Sequence, residues 1–501
     1  MSFLQHKHLV KRLFALSAGA LIPFAFAPFG FYLLSFLSLS ILFYLWTKSD
    51  SGRESFILGY LYAFSMFGIG INWMHISINL FGGVNLIGAL FFTYIFIAYI
   101  SLFPAVCGYI AIRFFKHYQF IAIPALWLIT EWSRGWFLTG FPWLNIGTSQ
   151  IDSLLAGFAP AVGDYGITFL VSLLAMCIIF LITGCTKQRV VGGILIILIT
   201  SSSLLVNKIE WSKDLNKDLD VVLIQGAIPQ KLKWQPQQRQ KTYDIYSGLS
   251  RPYWSSDLII WPETAIPSLY HSAGDFIEPI TEEKHKTDTL FMSGLAYKDT
   301  TNSQFFNSVL LIDEEHHFYH KRHLVPFGEF LPFKSVLGEI LRFLKIPMSD
   351  FSSGKPDQKS FETKKGVFGM SICYEDAFGS IIRKSLPHAN ILINVSNDAW
   401  FGDSLAPHQH LQMARMRALE NGRYLLRSTN TGISAIIDDK GKIVFRSPQF
   451  EPHALAAKVK SLTGETLYSK LGNSLIVVIC FLLLFFCFLL NCRQKHITPE
   501  H

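Results

Sequence analysis

Charged residues are scarce in this 501-residue chain, and so are cysteines. Asp, Glu, Lys and Arg make up 16% of the chain and half of the residues are hydrophobic, whereas about a quarter charged is usual for soluble domains. The chain also lacks a basic stripe interleaved with aromatic residues, an internal repeat and a low-complexity linker. These absences argue against a nucleic-acid-binding protein and a repeat array. The scarcity of charge and the large hydrophobic share predict that much of the chain meets lipid, so a bilayer is an expected partner.

Long apolar runs are what the chain has instead. Several match the ~20 residues needed to cross a bilayer, and we predict spans at residues 13–28, 31–46, 56–73, 86–112, 121–132, 167–184, 191–206 and 471–490. The fifth is the weakest, because Glu131 and Arg134 crowd its end. The first ends with Ala25-Phe-Ala27, which is typical of a signal-peptide cleavage site, but Pro28 follows directly. We therefore predict that the first span is an anchor.

Basic residues in the short loops determine the predicted orientation. They all fall on one side when the spans are counted, and they are Lys7, Lys11, Arg12, Lys48, Arg53, Arg113, Lys116, Lys187, Arg189, Arg493 and Lys495. By the positive-inside rule, both termini are then cytoplasmic. The predicted parts are a membrane domain at 1–206 with about seven transmembrane helices, an exported domain at 207–470, a transmembrane helix at 471–492 and a cytoplasmic tail at 493–501.

The placement of the cysteines is uneven. Six of the seven lie in or beside apolar segments, and Cys373 alone lies in the predicted exported domain. Cys373 therefore has no disulfide partner within that domain, in a compartment that oxidises thiols. A buried structural cysteine is one explanation, but an unpaired thiol in that compartment favours a chemical role.

Short apolar runs in the exported segment predict a layered α/β domain. We predict strands at 220–225, 258–261, 290–293, 308–312, 366–373, 391–394 and 432–437. Helices are predicted for the polar stretch from Trp234 to Ser250 and for residues 408–421. Several of the strands are continuous apolar runs, which indicates sheets buried on both faces.

Three chemical groups lie beside predicted strand ends or in turns. Glu263 follows Trp261-Pro262, Lys321 precedes Arg322, and Cys373 ends its strand, where backbone N–H groups favour the thiolate. Taken singly, they have ordinary explanations as a turn acid, a surface lysine and a buried cysteine. Together they provide the base, the cation and the nucleophile that covalent acyl transfer needs.

These residues resemble the Glu-Lys-Cys triad of the nitrilase superfamily. Glu263 stands after Trp-Pro, Lys321 before Leu-Val-Pro-Phe-Gly-Glu329, and Cys373 before Tyr-Glu. With membrane spans on both sides, the chain closely resembles the apolipoprotein N-acyltransferase family, the membrane-embedded branch. The resemblance covers nearly the whole chain and includes Phe26-Ala-Pro-Phe-Gly30, Glu131-Trp-Ser-Arg-Gly-Trp136, Thr139-Gly-Phe-Pro-Trp143 and Asn397-Asp-Ala-Trp-Phe-Gly402.

The resemblance implies an αββα sandwich for the exported domain and a role for each matching residue. Glu263 would be the general base, Lys321 would stabilise the tetrahedral intermediate, and Cys373 would be the nucleophile. The other implied site residues are the supporting acids Glu329 and Glu375 and the site-lining aromatics Tyr374 and Trp234.

The family's reaction is a ping-pong acyl transfer in the bacterial inner membrane. The thiol would take an acyl chain from the sn-1 position of a phospholipid, usually phosphatidylethanolamine. The α-amino group of an S-diacylglyceryl-cysteine on an apolipoprotein would then accept it. We expect no cofactor, no nucleic-acid partner and a monomeric enzyme. We also expect no metal, because the spacing of the histidines at 316, 317, 320, 323, 408 and 410 matches no known site.

Two other functions and one structural alternative stay open. A membrane-tethered amidase would use the same triad with water as second substrate, and a scaffold would bind lipoproteins without catalysis. The multi-span region argues against the hydrolase, and the intact triad argues against the scaffold. Residues 327–351, which are rich in Phe, Leu and Ile, are either a core helix or a lid that rests on the bilayer surface; we favour the lid.

Overall fold

The computed structural model describes residues 3–332 and 350–497, which form two compact units. One, the helical unit, comprises Met1–His75, Leu90–Ile209 and Leu471–His501, and the other, the α/β unit, comprises Ile76–Ala89 and Glu210–Lys470. Residues 333–349, the greater part of the predicted lid or core helix, lie outside the described residues.

The N-terminal region is helical because its apolar runs satisfy their backbone hydrogen bonds internally, as a lipid environment requires. Its helices are α1 (Phe3–Leu21), α2 (Leu33–Thr47), α3 (Gly52–Gly70), α4 (Met74–Leu80), α5 (Leu86–Ile100), α6 (Leu102–Phe114), α7 (Gln119–Arg134), α8 (Ala159–Thr183) and α9 (Thr186–Val206).

Some of these helices are long and apolar enough to cross a membrane. By length and composition, the described residues contain five such segments: His6–Ala25, Leu86–Phe114, Leu154–Thr183, Thr186–Val206 and Ser474–Arg493. Helices α3 and α4, bent by 55°, would make a sixth if they form one span. Helix α2 is apolar but shorter. Helix α7, which covers the weakest predicted span, contains Pro124 and the buried pair Glu131 and Arg134.

The α/β unit contains two mixed sheets. The first has the order β13-β1-β2-β4-β5-β6 with β3 beside β4, and the second has the order β12-β11-β10-β9-β8-β7. The strands are β1 (Ser212–Gln225), β2 (Leu258–Ile260), β3 (Ile266–Leu269), β4 (Leu290–Lys298), β5 (Phe305–Ile312), β6 (His316–His320), β7 (Phe361–Thr363), β8 (Gly366–Ile372), β9 (Ile391–Ser396), β10 (Leu425–Thr429), β11 (Ala435–Ile437), β12 (Ile443–Arg446) and β13 (His453–Gly464).

The remaining helices are short or cover the sheets. They are α10 (Gln230–Lys233), α11 (Arg239–Ser250), α12 (Gly274–Thr287), α13 (Gly379–Ile382), α14 (Ala406–Asn421) and α15 (Leu467–Leu471), and the chain ends with the apolar helix α16 (Ser474–Ile497).

Alternating side chains bury both faces of each sheet. In β1, Val221 and Leu223 join the core between the two sheets, whereas Val222 and Ile224 join the core beneath α11 and α12, because successive residues of a strand point to opposite faces. The outer face of the second sheet packs against α14. The result is a helix–sheet–sheet–helix sandwich, which confirms the predicted αββα fold.

The predicted strands are present but several are longer than their apolar runs. Strand β1 begins at Ser212, where its polar residues pair with β13 in antiparallel register, and β4 continues to Lys298 against β5. The predicted surface helix is divided, with Trp234 after α10 and the main helix beginning at Arg239. Backbone pairing with another strand, rather than local hydrophobicity, extends β1 and β4.

One segment of the N-terminal region belongs to the α/β unit. Residues Ile76–Ala89 cluster with it, and Ser77 Oγ donates a hydrogen bond of 2.6 Å to the main-chain oxygen of Trp400. The rings of Phe81 and Trp400 also meet edge to face, with centroids 4.8 Å apart. Trp400 lies in the Asn397–Gly402 motif, so this segment fixes one of the motifs noted in the sequence.

Candidate active site

Three predicted site residues follow strands of the sandwich. Glu263 comes after β2 and Trp261-Pro262, Lys321 directly after β6, and Cys373 directly after β8, at the start of a 3₁₀ turn over Cys373–Ala377. Loops at the ends of buried strands hold their side chains in defined positions, because the rigid sheet fixes the backbone at the start of each loop. All three side chains are buried, with exposed fractions of 6% for Glu263, 1% for Lys321 and 7% for Cys373.

Carboxylates surround the ammonium of Lys321. Its Nζ lies 2.9 Å from Glu329 and 3.6 Å from Oε1 of Glu263. The side-chain amide of Asn307 donates to both acids, at 2.7 Å to Glu263 and 2.8 Å to Glu329. The second oxygen of Glu329 accepts a hydrogen bond from the backbone N–H of Val325. The structure therefore brings the predicted base, the predicted cation and the supporting acid Glu329 into one hydrogen-bonded cluster.

The second carboxylate oxygen of Glu263 is available to accept a proton or a hydrogen bond. Within residues 3–332 and 350–497, Oε2 is buried and has no hydrogen-bond partner. A buried, unpaired carboxylate oxygen is costly unless a ligand or a reacting proton uses it. Since Oε1 is held by Asn307, the side chain presents Oε2 in a fixed orientation, as a general base requires.

Cys373 has an uncommon backbone conformation. Its φ is +51°, in the left-handed region that non-glycine residues rarely adopt and that recurs at functional sites. Its carbonyl oxygen accepts hydrogen bonds from Nε2 of His410 at 3.1 Å and from the side-chain amide of Asn394 at 3.4 Å. These two bonds hold the turn on which the thiol is mounted.

A buried ionic network supports His410. Its Nδ1 lies 3.0 Å from Asp398, and Arg427 pairs with Asp398 at 3.0 Å and with Asp376 at 3.3 Å. Burial raises the pKa of Asp398, but Arg427 and His410 more than offset this, so its pKa falls to about 2. Asp398 therefore stays ionised and keeps the network charged beneath the turn.

Glu375 connects the cysteine turn to the segment after Lys321. Its side chain is fully buried, and its oxygens accept bonds of 2.7–3.1 Å from the N–H groups of Ile372, Arg322 and His323 and from the hydroxyl of Tyr319. Burial raises the pKa of Glu375 in spite of these donors. Glu375 thus fixes the end of β8 relative to the backbone that carries Lys321.

The electrostatics of the thiol correct one sequence-based expectation. Burial, followed by the charge of Glu263, raises the pKa of Cys373 to about 12, although Lys321 acts in the opposite direction. The expectation that the strand end favours a thiolate is therefore wrong, because loss of hydration outweighs the nearby dipoles. The resting thiol is protonated, so any reaction through its thiolate would require a base.

The site favours the charged form of Lys321, whereas it disfavours the charged form of Cys373. Burial lowers its pKa, but the carboxylates of Glu329 and Glu263 more than offset the loss of hydration, so the pKa of the ammonium lies above its ordinary value. Lys321 thus remains a cation whose charge acts on the thiol, and it is suited to stabilise negative charge that develops there.

The two predicted aromatic residues occupy different environments. Tyr374 is largely buried, and its ring lies 5.1 Å from that of Phe378 and 5.9 Å from that of His323. Trp234 is 38% exposed and directly follows α10. An exposed indole is suited to a surface that contacts substrate.

Sequence reasoning missed several residues of the site. Asn307, Lys233 and His410 contact Glu263 or Cys373, yet no motif marked Asn307 or Lys233, and His410 was considered only as a metal ligand. Asn307 is the third residue of β5, a mostly apolar strand, and such a buried amide is the signal that could have identified it. Within residues 3–332 and 350–497, no group of three or more His, Cys, Asp or Glu residues could hold a metal ion.

Comparison with known families agrees with this architecture. Residues 18–177 match the family model described as the apolipoprotein N-acyltransferase N-terminal domain, and residues 221–468 match the model described as carbon-nitrogen hydrolase. The fold and the matches define the class as an enzyme with a nitrilase-like carbon-nitrogen hydrolase domain joined to an apolar helical region.

Curated relatives identify the family. The apolipoprotein N-acyltransferase of Methylococcus capsulatus is 39% identical over 98% of this chain and 97% of its own length. Those of Photobacterium profundum and Vibrio cholerae are each 37% identical, over 92% and 94% of this chain and 91% and 95% of their own lengths. The chain belongs to the apolipoprotein N-acyltransferase family, and the family resemblance seen in its motifs is confirmed.

Proposed function

We propose that this acyltransferase moves a fatty acyl chain from the sn-1 position of a phospholipid to the α-amino group of S-diacylglyceryl-cysteine in apolipoproteins. The acyl chain would travel as a thioester on Cys373. The observation that carries the proposal is the buried cluster of Glu263, Lys321 and Cys373, in which Glu263 keeps one carboxylate oxygen for a proton. The relatives are apolipoprotein N-acyltransferases, which supports the acceptor class.

In the first half-reaction, Oε2 of Glu263 takes the thiol proton while the sulfur of Cys373 attacks the ester carbonyl. Lys321 stabilises the negative charge on the carbonyl oxygen of the tetrahedral intermediate. Collapse of the intermediate breaks the ester C–O bond. The leaving alkoxide takes the proton back from Glu263 and departs as a lysophospholipid, which leaves an acyl-thioester and an ionised Glu263.

In the second half-reaction, the neutral α-amine of the acceptor attacks the thioester carbonyl. Glu263 accepts the amine proton, the C–S bond breaks, and the thiolate of Cys373 recovers that proton. The products are the amide and the resting thiol. Because the same carboxylate accepts and returns a proton in each half, the site ends the cycle in its initial protonation state.

The exclusion of water favours transfer over hydrolysis. Glu263, Lys321 and Cys373 are each less than 10% exposed, and a thioester in a dry site reacts slowly with water. A membrane-tethered amidase would use the same groups, but the match of residues 18–177 to an acyltransferase N-terminal domain favours the transferase.

Phosphatidylethanolamine is the proposed donor. We also propose a monomeric enzyme, because one chain supplies the whole cluster.

The assay for this function supplies radiolabelled phosphatidylethanolamine and a diacylated lipopeptide to the purified enzyme. We expect label on the lipopeptide and an equal amount of lysophospholipid. Free labelled fatty acid would indicate the hydrolase, and no reaction would indicate the scaffold. A lipopeptide with a blocked α-amino group serves as the matched control and should stay unlabelled.

We further propose an inner-membrane enzyme with both termini in the cytoplasm and the α/β unit in the periplasm. The support is the agreement among the basic residues of the short loops, from Lys7 to Lys495. This orientation places the thiol on the side where lipoproteins are exposed after export.

A reporter fused after Arg189 should therefore be cytoplasmic, and one fused at Gln237 should be exported. A reporter that is active only in the periplasm and one that is active only in the cytoplasm measure this in paired fusions. Export of the Arg189 fusion would overturn the orientation.

A further inference from the structure

A second lysine lies beside the cluster. Lys233 ends α10, is 1% exposed, and donates a hydrogen bond of 2.9 Å from Nζ to the main-chain oxygen of Glu263. Among the described residues, that oxygen is the hydrogen-bond acceptor found for Lys233, although an ammonium carries three donors. A buried ammonium is costly unless opposite charges compensate for its lost hydration. Its burial here therefore needs an explanation beyond one carbonyl.

The charges of the site provide that explanation. Lys321 contacts two carboxylates, those of Glu263 and Glu329, so with one lysine the cluster has a net negative charge before the thiol ionises. Lys233 supplies a second positive charge, and the cluster is then neutral. Transfer of the proton from Cys373 to Glu263 leaves this total unchanged. The thiolate thus forms in a neutral site rather than a negative one.

We propose that Lys233 is a positioning residue that holds the backbone of Glu263 and neutralises the cluster, so that Cys373 can lose its proton to Glu263. The inference rests on the proposed roles of Glu263 and Cys373. Lys233 acts through these groups and takes no part in bond making.

The protonation of Lys233 is consistent with this role. Burial lowers its pKa to about 8, and the charges of Glu263 and the Cys373 thiolate act in the opposite direction. These are the ionisable groups that act on it directly, while Lys321 and Glu329 are linked to it through Glu263. Lys233 is therefore mostly charged at neutral pH and loses its charge as the pH rises through about 8.

A pH profile of acyl-enzyme formation tests the proposal. The full-length enzyme is mixed with phospholipid without an acceptor, and the acylation rate of Cys373 is measured from about pH 6 to pH 10. In the wild-type enzyme we expect the rate to fall as Lys233 deprotonates. In Lys233→Arg the charge persists, so this fall should move to higher pH by about one unit or more.

Two further substitutions separate charge from hydrogen bonding. Lys233→Gln keeps a donor for the Glu263 carbonyl without the charge, and Lys233→Met removes both. If the charge matters, both should slow acylation at neutral pH by about tenfold or more. The matched control is Lys231→Met, an exposed lysine of the same helix, which should leave the rate unchanged.

A lipid-free measurement distinguishes failure of this inference from failure of the proposed function. Alkylation of Cys373 by iodoacetamide, followed by mass spectrometry of its peptide, should slow by about tenfold in Lys233→Met because the thiolate fraction falls. If the wild-type enzyme forms no acyl-thioester, the proposed function fails, and the alkylation rates still decide about Lys233.

Three outcomes would overturn the proposal. These are a Lys233→Gln enzyme with wild-type acylation, an unchanged alkaline fall in Lys233→Arg, and equal alkylation rates in the wild type and Lys233→Met. If the neutral variants fail to fold, the comparison of the wild type with Lys233→Arg decides alone, because it measures the position of the alkaline fall.

Discussion

Glu263→Gln should reduce acyl transfer by about 10²–10⁴-fold, the usual contribution of a positioned general base. Glutamine has nearly the same shape, and its side-chain oxygen can still accept the hydrogen bond from Asn307 that Oε1 now receives. Its amide nitrogen, however, replaces the free oxygen and cannot accept the proton of the Cys373 thiol. The measurement is the rate of acyl-enzyme formation by the purified variant.

The same substitution should leave the intrinsic reactivity of the thiol intact or raise it. The charge of Glu263 is one of the causes that raise the pKa of Cys373, so neutralising it should increase the alkylation rate of Cys373. Opposite changes in acylation and alkylation separate loss of the base from general damage to the site. Glu282→Gln, an exposed acid of α12, is the control. Near-normal acylation by Glu263→Gln would remove Glu263 from the mechanism.

Lys321→Met should abolish turnover and also destabilise the α/β unit. Loss of a group that stabilises developing charge commonly costs about 10²–10³-fold in rate. Removing one partner of a buried ion pair typically lowers the free energy of unfolding by about 3–5 kcal/mol, since Glu263 and Glu329 would face each other without their cation. Acylation assays and denaturant unfolding measure the two effects.

A double variant separates these two effects. Lys321→Met combined with Glu329→Gln removes one of the unpaired carboxylates and should recover part of the stability without recovering activity. Recovery of acyl transfer in the double variant would contradict the role of Lys321 in stabilising the tetrahedral intermediate.

Much of the fold could be predicted from local sequence. The buried run 366–373 became β8, and the apolar strands became both sheets of the sandwich, because continuous hydrophobic runs can satisfy two buried faces at once. The polar beginning of β1 could not be predicted, since its pairing with β13 lies more than 200 residues away in sequence. The association of Ile76–Ala89 with the α/β unit likewise depends on contacts with distant residues such as Trp400.

The site could be predicted in part. Glu263, Lys321 and Cys373 were recognisable by their motifs. In the structure Lys321 and Glu263 lie 3.6 Å apart, and the charges of both act on the thiol of Cys373. Asn307, Lys233 and His410 carry no local signal, because their importance comes from the groups that the folded chain brings beside them.

The direction in which the site shifts the pKa of Cys373 was the clearest failure. Sequence reasoning weighed nearby N–H groups, which favour the thiolate, but could not measure burial, which raises the pKa of Cys373. A thiol of ordinary pKa, ~8.5, already needs a base at neutral pH, and the raised pKa of Cys373 strengthens that need and is the reason for the large effect expected from Glu263→Gln.

The acyl-thioester on Cys373 is the central intermediate of the account, and intact mass spectrometry tests it most directly. The enzyme is incubated with phosphatidylethanolamine and no acceptor, and Cys373→Ser is the control, since a carboxylate generates an alkoxide far less readily than a thiolate. We predict a single fatty acyl adduct on the wild-type enzyme, removed by neutral hydroxylamine and discharged by a diacylated lipopeptide. An adduct on any residue other than Cys373, or an equal adduct on Cys373→Ser, would contradict the mechanism.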